Sequence, residues 1–64
     1  MTKIKVGNIV YLNSNPEMLF TVAVDLYKMF PNEPHLKDLF YMIGVNRGKV
    51  LGFDAHQECV TFVR

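Results

Sequence analysis

The sequence predicts a mainly β fold, and three observations lead there. Ile9-Val10-Tyr11-Leu12 is a β-rich apolar run. Leu39 to Val45 and Val50 to Phe53 are two further apolar runs, separated by the polar, glycine-containing Asn46-Arg47-Gly48-Lys49. That pattern reads as a β-hairpin. Cys59-Val60-Thr61-Phe62-Val63 then reads as a closing strand.

The elements follow in order. Lys3-Ile4-Lys5-Val6 alternates polar and apolar, and Gly7-Asn8 permits a positive φ or a bulge before the strand at residues 9–12. Asn13-Ser14-Asn15-Pro16 is turn chemistry: short side chains that bond their own backbone, then a ring that presets φ. Met18 to Phe30 fits either period. As a helix over residues 16–30 it has Asn15 as N-cap, Pro16 at N1 and a stripe of Leu19, Val22, Ala23, Leu26 and Phe30. As a strand it turns Met18, Phe20, Val22, Val24 and Leu26 to one side. Phe30-Pro31-Asn32-Glu33-Pro34-His35 carries two prolines three apart, which stop a helix or an inner strand. Leu36 to Phe40 has the makings of one helical turn with Pro34 at its start. Asp54 to Glu58 reads as a turn or a single helical twist capped by Asp54.

Val6 to Met18, V-G-N-I-V-Y-L-N-S-N-P-E-M, resembles the opening of the YodC-like family of small bacterial proteins, which begins V-G-D-x-V-x-L and continues through a turn to a Met that starts a β-rich run. Leu39 to Val63 is similar to that family's second half in outline. This chain departs from the pattern at Asn8, in a shortened turn before Pro16, in having no Trp, and at residues 27–38, which look inserted. The resemblance implies a small antiparallel barrel of SH3-like type with about five strands, and a strand at Met18 to Leu26. Residues 27–38 then become an inserted loop or short helix. The alternative architecture is α+β, with a helix at 16–30 on a three-stranded sheet. The family brings no established chemistry.

A chain of 64 residues reads as a single domain, residues 1–64, and one so short buries only about 60% of the surface its unfolded form exposes. Half the residues are hydrophobic and 20% are charged, which is not the balance of a disordered chain. A net charge of +1 supplies no strong field toward nucleic acid or an anionic membrane. No segment approaches the length of a membrane span or a signal peptide, and Cys59 is the single cysteine. A cytoplasmic location is the default expectation.

His35, His56 and Cys59 are the residues with metal or nucleophile potential, and no pair has a recognised ligand spacing. Cys59 is expected to be a buried structural residue and His56 a solvated turn residue. Asp25, Glu33, Asp38, Asp54 and Glu58 are scattered without an acid–base pairing. No catalytic, cofactor or metal site is expected. Among Tyr11, Tyr27, Phe40, Tyr41, Arg47, Lys49, Phe53 and Phe62, most rings are expected in the core, because Phe40 and Tyr41 must face opposite ways along a strand. Tyr41, Arg47 and Lys49 are the candidate ligand-binding set, suited to a base stacked beside cations. Met29, Phe30 and Leu36 are candidates for a protein or self-association interface. The functional expectation is a non-enzymatic binding module for protein, with a weak nucleic-acid binder as the alternative.

Overall fold

The computed structural model describes residues 3–64. It contains β1 (Ile9–Leu12), β2 (Asn15–Asp25), α1 (Leu26–Met29), β3 (Leu39–Asn46), β4 (Lys49–His56) and β5 (Val60–Phe62). Two 3-10 turns, Pro34–Leu36 and Gln57–Cys59, precede β3 and β5. All pairings are antiparallel, in one sheet of order β4-β3-β2-β1-β5. The mainly β architecture of five antiparallel strands is therefore the one present.

The helix at residues 16–30 is overturned. β2 is the central strand, hydrogen-bonded on both sides, and it turns Phe20 and Val22 into the core. Thr21, Val22 and Val24 are β-branched and fit a pleated surface better than a helix. Helix survives only at Leu26–Met29, and its cap is Asp25, whose Oδ1 accepts from the Lys28 N–H at 3.3 Å, not Asn15. The strand reading is also corrected in one respect. The register slips between Val22 and Val24, so a bulge at Ala23 ends the alternation and pairs Val24 with the outward Tyr41. Pro16 lies inside β2 at no cost to a ladder, because the β1–β2 register jumps from Tyr11↔Leu19 to Leu12↔Asn15 around it.

Gly7 has φ 98° and turns the chain into β1, where its N–H donates to the Val22 carbonyl at 2.8 Å. The β3–β4 loop is the two residues Arg47 and Gly48, both at positive φ (53° and 76°). That is the I′ geometry which matches the twist of a hairpin. Pro34 does open a 3-10 turn, but Leu39 and Phe40 belong to β3, not to a helical twist. β4 continues through Asp54 to His56, so Asp54 caps nothing and the helical turn begins at Gln57.

In this strand order the sheet edges are four spacings apart, about 19 Å if flat. Yet only Gln57–Cys59 join β4 to β5, and a 3-10 turn rises roughly 2 Å per residue. The sheet must curl to bring its edges together. Its concave side holds the core: Ile4, Val10, Phe20, Val22, Phe40, Met42 and Val60, with Leu12, Met18, Phe53 and Ala55 packed against them. The Phe20 and Phe53 rings meet edge to face, with centroids 4.9 Å apart. Gly44 leaves the space in which the Phe20 ring lies.

Candidate interaction surface

Strand β3 reads L-F-Y-M-I-G-V-N, and its alternation divides two apolar sets rather than an apolar and a polar one. Phe40, Met42 and Gly44 are buried. Tyr41, Ile43 and Val45 point out, 37%, 39% and 68% exposed. The registers extend this outer face. Val50, 71% exposed, lies opposite Val45, Gly52 opposite Ile43 and Asp54 opposite Tyr41. Thr21 of β2 faces Ile43 and pairs with Ile9 of β1, and the exposed Leu19 lies two residues along. A shallow groove of about 400 Å³ runs here, lined by Ile9, Leu19, Thr21, Ile43, Val45 and Arg64. The Tyr41 ring lies across Gly52, where an added Cβ would fall on the phenol hydroxyl.

The candidate ligand-binding set is not assembled. Arg47 sits at the hairpin tip, six residues along β3 from Tyr41, roughly 20 Å away at strand rise. Lys49 pairs with Asn46, one step out of phase with the Val45–Val50 pair, so it lies on the face opposite to Tyr41. The charged cross-strand neighbour of Tyr41 is the Asp54 carboxylate. Of the candidate interface residues, Met29 and Phe30 are 60% and 51% exposed where α1 ends, while Leu36 is half-buried in the Pro34–Leu36 turn.

A second concavity, about 710 Å³, opens where three connections meet, and is lined by Ile4, Asn13, Lys37, Asp38, His56, Gln57, Glu58 and β5. Asn13 staples two of those connections. Its N–H donates to the Cys59 carbonyl at 3.0 Å, its Nδ2 to the Glu58 carbonyl at 3.2 Å, and its Oδ1 accepts from the Thr61 hydroxyl. The Gln57 N–H donates to the carbonyl of Asp38, itself at φ 60°. The Gln57 Oε1 is buried with no donor among the described residues. In sequence Asn13 is turn chemistry alone, and nothing local signals a partner 48 residues away.

Cys59 is exposed and lies in the 3-10 turn, which corrects the expectation of a buried strand residue. Within that turn Gln57 is the residue that turns inward, its Oε1 buried, while Glu58 and Cys59 are left on the surface. His35 is exposed and 3.5 Å from Glu33. Among the described residues no three His, Cys, Asp or Glu side chains gather as a metal site. The aromatic expectation is also corrected. Of the six rings, Phe40 alone is fully buried; Tyr11, Tyr27 and Phe53 are half-buried, and Tyr41 and Phe62 are exposed. A curled sheet this small has too little interior for more. Among the described residues no helix is long and apolar enough to cross a membrane. Comparison with protein-family models, with curated proteins and with solved structures found no match.

Proposed function

We propose that the protein is a non-enzymatic interaction module whose ligand is another protein, received on the outer face of β2, β3 and β4. The observation that carries this reading is the exposure of Tyr41, Ile43 and Val45 on the side of β3 opposite its buried residues. A strand apolar on both faces is the pattern of a strand covered on both faces. The face has the chemistry of a protein contact: aliphatic groups, one tyrosine, and Asp54 as the charge among the β3–β4 outward positions. The carboxylate beside the aromatic ring disfavours phosphate at Tyr41 and there supports protein over nucleic acid, while Arg64 is the cation of the adjoining groove. The strand order, with β5 returning beside β1, supports the SH3-like reading.

The test uses a tagged copy recovered from its native cell, with each identified partner then purified and titrated directly. Val45→Ser with Val50→Ser should weaken that binding about tenfold or more, since each aliphatic side chain buried contributes about 1.5–3 kcal/mol. Raising salt should leave it nearly unchanged. Binding that collapses with salt and survives the double substitution overturns the reading, as does tight binding to a single-stranded oligonucleotide.

A further inference from the structure

Strand β4 is an edge of the sheet and pairs with β3 in eight consecutive steps, from Leu39↔His56 to Asn46↔Lys49, without a bulge. The residues flanking a two-residue hairpin loop exchange both their hydrogen bonds. Lys49, Leu51, Phe53 and Ala55 therefore direct their backbone groups to β3, and Val50, Gly52, Asp54 and His56 direct theirs away from the sheet. Among the described residues none of those outward groups has a backbone partner. Natural edges are blunted by proline, bulges, inward charges or a covering loop. This one carries two charged residues, Lys49 at its first position and Asp54 on its outer face, and among the described residues it has no proline and no bulge.

We propose that this edge is closed by a second copy of the chain, β4 against β4 antiparallel, about a two-fold axis through Gly52. Antiparallel partners place paired side chains on one face, so a dyad normal to the sheet can pass only through a residue position. With the axis at Gly52, seven residues pair, Lys49 to Ala55. Leu51, 40% exposed, meets the partner's half-buried Phe53 on the concave side, and this happens twice. Val50 meets the partner's Asp54, and no like charges are opposed. The pair at the axis is glycine against glycine, and on the outer face each is covered by the Tyr41 ring of its own chain. This self-complementarity is what selects a second copy over an unrelated strand.

The strip is about 24 Å long and one strand deep, less than the roughly 800 Å² per partner of a stable complex, so a micromolar dimer is expected. The same dyad keeps the two outer faces on one side, joining them into one apolar surface of ten strands.

Sedimentation velocity over a concentration series should show a monomer–dimer equilibrium. Amide hydrogen exchange carries the assignment. Leu51, Phe53 and Ala55 should be protected at every concentration, whereas Val50, Gly52 and Asp54 should gain protection only as dimer forms. Asp54→Pro removes an outward donor without touching the β3 ladder, and should weaken dimerisation about tenfold or more. If that variant misfolds, exchange in the unaltered protein still decides. A monomer at hundreds of micromolar overturns the proposal. So does a dimer in which the Val50, Gly52 and Asp54 amides stay unprotected, which would place the contact elsewhere, as at Met29 and Phe30.

Discussion

Replacing Gly44 with alanine probes how tightly the concave core is set. A Cβ at that position falls 2.5 and 2.7 Å from two carbons of the Phe20 ring and 3.0 Å from the Leu19 carbonyl oxygen. The ring cannot step aside cheaply, because Phe20 is 2% exposed and its edge rests on Phe53. Overpacking of this kind costs about 1–3 kcal/mol. Removing glycine from a strand returns roughly 0.5–1 kcal/mol of backbone entropy, leaving a net loss centred on about 1 kcal/mol and reaching at most about 2.5 kcal/mol. A chain this size has a total stability of roughly 3–10 kcal/mol, and each kcal/mol shifts its Tm by about 4–8 °C. Urea and thermal unfolding followed by circular dichroism should show the drop. The partner variant Phe20→Leu opens the space, so the double substitution should be less harmful than the sum of the two. Gly44→Ala at or above wild-type stability would refute the close approach of ring and backbone.

Other substitutions read other parts of the fold. Arg47 holds φ 53° in a loop that favours Asn-Gly, so Arg47→Asn should stabilise by about 0.5–1 kcal/mol, seen as a higher urea midpoint at unchanged slope; a neutral or harmful result would show that the guanidinium makes a compensating contact. Asn13→Ala removes two side-chain bonds between the β1–β2 turn and the β5 end and should cost about 1 kcal/mol, discounted for exposure; exchange of the Thr61 and Phe62 amides should speed up most. Gly52→Ala should push the Tyr41 ring off the strand for less than about 1 kcal/mol, because the colliding atom is the end of a half-exposed side chain. Its signature is a changed Tyr41 environment by fluorescence or NMR with near-normal stability, and a loss as large as that of Gly44→Ala would contradict it.

The hairpin at residues 39–53 was legible because its signals are local: apolar runs on either side of Asn-Arg-Gly-Lys, with parity separating Phe40 from Tyr41. Residues 16–30 were not legible from periodicity, because Leu19, Val22, Ala23 and Leu26 make as good a helical stripe as Phe20 and Val22 make a strand face. Pairing on both sides of β2 decides the matter, and that pairing depends on residues 9–12 and 39–46, which no local window contains. The bulge at Ala23 and the exposure of Cys59 are likewise properties of the assembled sheet. The candidate binding set is dispersed for a geometric reason. Tyr41, Arg47 and Lys49 are close in sequence, but a strand separates neighbours by rise and by face. The outer apolar face was present in the run L-F-Y-M-I-G-V all along, as a strand without a polar side.

The three-residue link from β4 to β5 has a kinetic consequence. β1–β2, β2–β3 and β3–β4 join strands that follow one another in the chain, whereas β1–β5 joins Val10 to Phe62 across nearly the whole length. Loop closure over that distance brings little return until the other strands are in place. Zipping of the meander should therefore precede docking of Val60–Phe62, which contributes only three residues. Substitutions at Thr61 or Phe62 should leave the refolding rate almost untouched and quicken unfolding. The seam that completes the sheet is thus where the native state begins to come apart.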